Sequence, residues 1–330
     1  MTPVDPSITH MLPYARIPFA LNVKPGESVL IVADTETDTL CWQALAAAGR
    51  AHGANVTVAL SAPVEQHGFE PPEPVAAAMW ASDHVMLTTS RALAHSDAAK
   101  RCQRERRTIY FMEEITQEML SSGATLEDYE GMQDLGRRVM EAWTKAEYVH
   151  VTTEEGTDFQ CSVSGREGLY IAGRAFVSDS LQMCCCAFPD GESVIAPREG
   201  TGNGVVVFDT TAHSVGRIKD PMRLTVEDGV VTKIEGGEEA QTWTRILEEQ
   251  DDPESWKFPA EIAIGLNPRA TVKGVLREDK KILGTCHMAV GTNADFGGTV
   301  KAKVHMDGLM GRPTIRFDGE VVVDAGRIVI

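Results

Sequence analysis

A chain of 330 residues, 43% hydrophobic and 24% charged, is long enough for two domains and for a core that needs neither disulfide nor metal to hold it. Its formal net charge of −17 excludes a protein that works through a basic face on a nucleic-acid backbone, or through polybasic attachment to an anionic membrane. The opening MTPVDPSITHMLPYARIPFALNV lacks the basic start, apolar core and cleavage site of a signal peptide, and no apolar run nears the ~20 residues that span a bilayer, so a cytoplasmic protein is expected.

The first half alternates strands and helices. SVLIVAD (Ser28–Asp34) is a continuous apolar run of the kind buried on both faces of a parallel sheet. DTLCWQALAAAGRAHG has helical spacing and stops on a glycine, and NVTVALSA forms a second strand. PEPVAAAMWAS reads as a helix with proline near its start, HVMLTTS as a third strand, ALAHSDAAKRCQRERR as a helix and TIYFMEE as a fourth strand. TLEDYEGMQDLGRRVMEAWTKA is a long helix with Thr125 as its cap and acidic residues in its first turn. The order predicts an α/β domain over residues 1–150, with a mainly parallel sheet between helices.

Near residue 150 the period changes. GVVVFDTT, MRLTVEDGVVTKIEG and TIRFDGEVVVDAGRIVI alternate with period two, and Asp228-Gly229 and Asp318-Gly319 are hairpin turn signals. One helix, EEAQTWTRILEEQ, interrupts. Residues 151–330 are therefore expected to form a mixed, β-rich α+β domain, the one that would carry a metal. GTGNG (Gly200–Gly204) follows no βα unit and has no lysine, so it is no phosphate loop. The seven cysteines, with Cys184, Cys185 and Cys186 in succession, read as buried free thiols, because neighbouring side chains on a strand point opposite ways and cannot all reach one ion.

Four stretches of the second half place a titratable residue against apolar or glycine-rich sequence: Glu192 in FPDGESVIAP, Glu261 in FPAEIAIGLNPRA, His287 in GTCHMAVGTN, and His305 with Asp307 in VKAKVHMDGLM. His305 and Asp307 are two apart in a strand-like run and so share a face. Such a pair fits a surface contact, a buried hydrogen bond or two ligands of one metal. Burying a carboxylate is costly unless it is paired or bound to a cation. Together the five offer two imidazoles and three carboxylates, a nitrogen and oxygen set suited to Zn, Mn, Co or Fe(II). Three carboxylates nearly balance two divalent ions, the electrostatics of a two-metal hydrolytic site. The subset His287, His305 and Asp307 has the composition of the two-His-one-carboxylate triad of Fe(II) oxygenases, so both chemistries are open.

The pieces ALAHSDAAK, GTDFQCSVSGR, FPDGESVIAP, EIAIGLNPRA, GTCHMAVGTN and VHMDGLM, in this order, resemble the thermophilic-type metallo-aminopeptidases (aminopeptidase T and S) and their ring-cleaving relative, 2,5-dihydroxypyridine 5,6-dioxygenase. The resemblance runs from about Ala92 to the C-terminus. The peptidase resemblance implies metal ligands at Glu192, Glu261, His287, His305 and Asp307, but the peptidases' catalytic Tyr falls on Ala294 here. The dioxygenase resemblance implies a base at His95, while the first His of that enzyme's iron triad falls on Glu261. GLNPRA carries Arg269, expected to pair with a substrate carboxylate.

The retained ligand set decides the expectation, which is a metal-dependent hydrolase cleaving an amide or related C–N bond of a small molecule. One or two divalent ions (Zn, Co, Mn or Fe(II)) would be the cofactor, and Glu192 and His95 would act in catalysis. The alternative is a mononuclear Fe(II) ring-cleaving dioxygenase. The partners expected are a small-molecule substrate and, as the resemblance implies, a second copy in a homodimer or larger homo-oligomer, with neither nucleic acid nor membrane.

Overall fold

The computed structural model describes residues 5–126 and 128–330; the first four residues of the opening stretch and Glu127 of the predicted long helix lie outside it. The chain forms two compact units. The first is Met1–Glu130 with Ile171–Asp190, and the second is Gly131–Tyr170 with Gly191–Ile330. The division thus differs from a single cut at 150. The reason is that residues 171–190 return to complete the sheet of the first unit.

In the first unit the four strands read from the sequence are present as β1 (Ser28–Asp34), β2 (Asn55–Ser61), β3 (His84–Leu87) and β4 (Thr108–Phe111). They lie side by side in the order β2-β1-β3-β4, all parallel. Strand Met183–Ala187 continues this parallel set beyond β4, and Phe176–Ser178 closes the edge in the antiparallel sense. Every residue of β1 after Ser28 is buried, which is why it reads as an unbroken apolar run. The helix Thr39–His52 starts where Asp38 accepts the Leu40 N–H at 2.9 Å and stops at Gly53, whose φ of 95° suits glycine alone without strain. Strand Met183–Ala187 is buried at all five positions, so Cys184, Cys185 and Cys186 are buried free thiols although they point to opposite faces.

Thr125 is not a helix cap. It lies in a 3₁₀ turn (Gly123–Leu126), and its hydroxyl donates to the Met119 carbonyl at 2.7 Å. The long helix starts only at Tyr129, where Asp128 accepts the Glu130 N–H.

The second unit contains two antiparallel sheets. The larger runs in the order Val230–Glu235, Met222–Glu227, Asn203–Phe208, Asp158–Ser162, Tyr148–Thr152, Thr314–Phe317, Glu320–Asp324, Arg327–Ile328. Its hairpins turn at Asp228-Gly229 (φ 47° and 72°) and Asp318-Gly319 (φ 50° and 92°), with both central residues left-handed as a tight hairpin requires. The smaller sheet runs Gly216–Arg217, Thr211–Ala212, His305–Met310, Cys286–Gly291, Ile262–Gly265, Glu192–Ile195, Leu169–Ile171. Gly308 on its back face leaves room for the Phe208 ring, which a Cβ there would meet at 2.2 Å. Among the described residues no helix is long and apolar enough to cross a membrane.

Candidate metal centre

The register of the smaller sheet puts all five residues singled out from the sequence on one face. Asp307 stands opposite Ala289 and His305 opposite Gly291, while His287 stands opposite Ala263. The ladder continues so that Ala289 N–H reaches the Glu261 carbonyl, and Val194 faces Ala263 with Glu192 two residues before it. Residues two apart share a face, so Glu192, Glu261, His287, His305 and Asp307 project the same way from four adjacent strands. Four of the other positions on that face are small, Ala263, Gly265, Ala289 and Gly291, and two are apolar, Val194 and Leu309. The opposite face carries Ile262, Ile264, Met288, Val290, Met306 and Met310, all fully or almost fully buried. The EIAIG and HMAVG runs therefore each encode an apolar back and a polar front with space in front of it, and His305 and Asp307 of HMD join that front.

Glu261, His305 and Asp307 form the one group among the described residues whose donor atoms all lie within 4.8 Å of one another. His305 Nδ1 is 2.8 Å from the Thr292 carbonyl, which only accepts, so Nδ1 carries a hydrogen and Nε2 faces the carboxylates. Nε2 lies 3.0 Å from Asp307 Oδ1 and 3.6 Å from Glu261 Oε2. A bare lone pair aimed at two carboxylates is repulsive, so a proton or a metal must sit between them. With a proton there, burial lowers the His305 pKa, but the charges of Glu261 and Asp307 prevail and hold it well above the ordinary imidazole value. Asp307 Oδ1 is buried and turned to His305 Nε2, while Oδ2 accepts from Lys280 Nζ at 2.9 Å. Burial alone would raise the Asp307 pKa; Lys280 and His305 drive it well below the carboxylate range. An imidazole nitrogen and carboxylate oxygens, buried and with unsatisfied lone pairs turned inward, fit a borderline divalent ion such as Fe(II), Mn(II) or Zn(II).

Glu192 and His287 are not in this group. Glu192 Oε1 is 2.5 Å from Lys281 Nζ, and Lys281 has no exposed surface. Burial pushes the Glu192 carboxyl up, and the charges of Lys281, Lys280 and His287 outweigh it, so its pKa is lowered. His287 Nε2 is 3.0 Å from Glu261 Oε1 and must donate, since a carboxylate only accepts; it orients Glu261. Two lysine ammoniums thus oppose three carboxylates, leaving one carboxylate charge unmatched by a lysine.

Both lysines were absent from the sequence reading. They leave the end of the short helix Leu276–Asp279, in which Glu278 and Asp279 are also buried. Gly265 makes their position attainable. A Cβ there would lie 2.0 Å from the Ile282 carbonyl oxygen and 2.9 Å from the Lys281 carbonyl carbon. The remaining predicted residues lie elsewhere. Arg269 is exposed on a turn whose N–H groups at Arg269 and Ala270 are held by Asn267 Oδ1. His95 is half-buried in the first unit, next to Ser96, which caps the helix Asp97–Arg104. Ala294, where the peptidase Tyr would fall, belongs to a 3₁₀ turn that brings the Phe296 ring within 5.7 Å of the His305 ring, centroid to centroid. That loop is braced by Asn293, which donates to Glu199 Oε1 at 3.0 Å, and by Arg166, which bonds both Glu199 and the Gly297 carbonyl.

Comparison with known proteins narrows the chemistry. Residues 18–330 match the family described as NicX: 2,5-dihydroxypyridine 5,6-dioxygenase. The 2,5-dihydroxypyridine 5,6-dioxygenase of Pseudomonas putida is 28% identical over 217 residues, or 60% of this chain and 59% of that one. The chain thus aligns with less than two thirds of the length of that curated relative. The solved 2,5-dihydroxypyridine dioxygenase of Pseudomonas putida has the same fold, with a TM-score of 0.80 at 19% identity over 99% of this chain and 98% of that one. AmpT from Thermus thermophilus also shares it, with a TM-score of 0.71 at 15% identity over 98% and 99%. The expected superfamily, its mixture of sheets and helices, and the need for a divalent metal therefore stand. The expected hydrolase does not, because the matching family is that of a dioxygenase. Its premise fails physically as well: the excess carboxylates do not need a second metal where Lys280 and Lys281 already neutralise two of them. Family match and shared fold agree, and the chain belongs to the 2,5-dihydroxypyridine 5,6-dioxygenase family.

Proposed function

We propose that this protein is an Fe(II)-dependent dioxygenase that opens the ring of a small hydroxylated N-heteroaromatic compound of the dihydroxypyridine class. The observation that carries the reading is the cluster of Glu261, His305 and Asp307 in a chain of this family: a donor set for one ion, with the charge of Glu192 already met by Lys281. Glu261, His305 Nε2 and Asp307 Oδ1 would hold the metal. One imidazole and two carboxylates depart from the usual two-His-one-carboxylate set by one negative charge, and Lys280 on Asp307 offsets it. Iron held there would supply O₂ activation, with both oxygen atoms entering the product and no outside reductant consumed.

The chain's own residues would do the rest. His287 fixes the Glu261 carboxylate, and the Thr292 carbonyl fixes the His305 ring. Phe296 offers an aromatic face beside the centre, suited to a planar ring. On the strength of the family resemblance, His95 serves as the base that takes the substrate hydroxyl proton, and Arg269 pairs with an anionic oxygen of the substrate.

The decisive test is oxygen stoichiometry with 2,5-dihydroxypyridine as the probe. Protein reconstituted anaerobically with Fe(II) should hold one iron per chain and consume one O₂ per ring opened. Chelation should abolish turnover, and Fe(II), not Zn(II), should restore it. Ring opening that proceeds unchanged without O₂ would sink the reading. Phe296→Ala is expected to leave iron content intact and raise KM about tenfold, in line with the ~0.5–1.5 kcal/mol of one aromatic pair; an unchanged KM removes Phe296 from the substrate site.

A further inference from the structure

We propose that Lys281 is what keeps this centre at one metal ion, its ammonium standing where a second divalent cation would otherwise be held. The inference rests on the single-metal reading above and adds the residue that enforces it.

Lys281 has no exposed surface, and its Nζ lies 2.5 Å from Glu192 Oε1. An ammonium so placed is buried away from water and is compensated by a carboxylate. The other oxygen of Glu192, Oε2, is buried without a hydrogen bond and lies 3.6 Å from His287 Nε2. That same nitrogen lies 3.0 Å from Glu261 Oε1. His287 Nδ1 is buried without a hydrogen bond, so the ring can turn an Nε2 lone pair toward the carboxylates only where a cation replaces the hydrogen bond to Glu261. One oxygen of Glu192, one nitrogen of His287 and one oxygen of Glu261 are thus a second donor set beside the first. They do not close to ligand separation, since Glu261, His305 and Asp307 are the group that does so among the described residues.

Charge explains the difference. With both lysines present and His305 Nε2 turned to the ion in place of its proton, one divalent ion leaves the centre with one net positive charge. A second ion with a shared hydroxide would raise it to two, in a buried site. Without Lys281, two divalent ions and a shared hydroxide reach the same single positive charge. The lysine is therefore interchangeable with a metal ion and its hydroxide, and its placement through Gly265 selects one nuclearity over the other.

The test is anaerobic titration with Mn(II), read as bound metal per chain and by the electron paramagnetic resonance of the bound ion. Wild type should take one Mn(II), with the six-line signal of an isolated ion. Lys281→Ala and Lys281→Ser should take two, with that signal weakened by coupling between neighbouring ions. Folded variants that still take one ion overturn the inference, as does a wild type that takes two. A wild type that takes none overturns the single-metal reading itself, a failure distinct from the others. Where the variants fold only with metal present, two Mn(II) per refolded chain supports the inference. Failure to fold in saturating Mn(II) overturns it, since a divalent ion should then do what Lys281 does.

Discussion

Alanine at His305 will leave the protein without its metal. His305 supplies the nitrogen of the three-residue cluster, and its Nε2 is the atom nearest both carboxylates. Removing a group that merely orients a ligand costs about 10–100-fold in metal affinity, so losing a ligand should cost more than ~100-fold. Glu261 and Asp307 would also lose the positive charge between them and repel each other when no metal is present. Anaerobic titration should show no stoichiometric binding, and metal-dependent turnover should fall to background. His305→Ala protein that retains one metal per chain would remove the cluster from consideration.

Glu192→Ala should be the most destabilising change near the centre that leaves the three proposed ligands in place. It removes the carboxylate that lies 2.5 Å from the buried Lys281 ammonium, and breaking a buried pair from one side costs about 3–5 kcal/mol. The double replacement Glu192→Gln with Lys281→Met removes both charges and should come within about 1–2 kcal/mol of wild type. Denaturant midpoints at constant m-value measure the difference. The pair also has a pH signature. The folded-state pKa of Glu192 is lowered, so its contribution is present above the ordinary carboxylate value and is lost as pH falls through the folded one. Wild type should therefore lose more stability on acidification than the double variant. Equal acid slopes would mean that the pair contributes nothing to folding.

Much of the site is written in the strands. EIAIG and HMAVG each alternate a polar or small residue with a bulky apolar one, and HMD continues the pattern until Gly308 and Leu309 reverse it, so the pleat puts Glu261, His287, His305 and Asp307 on a common face. The neighbouring strand pairings then bring them together. Lys280 and Lys281 follow no such rule. They come from a short helix end held over Gly265 by a close backbone approach, and nothing in LREDKKIL distinguishes charges aimed inward from charges in solvent. The hydrolase expectation therefore weighs three carboxylates without the two cations that face them. In the first unit β1 to β4 were legible because continuous apolar runs alternate with capped helices. MCCCA reads as a strand of buried thiols, but five apolar positions buried on both sides show no period that would place it in the sheet of the first unit.

The returning strand Met183–Ala187 has a consequence for how the chain is made. A ribosome delivers β1 to β4 first, and β4 then presents a buried-type edge at Thr108–Phe111 with no neighbour on its far side. Its partner emerges more than 70 residues later, after the first strands of the larger sheet of the second unit have already left the tunnel. For that interval the nascent first unit carries an unprotected sheet edge, the kind of surface that chaperones cover and that aggregates when they do not. A fragment ending at residue 150 would carry that edge permanently.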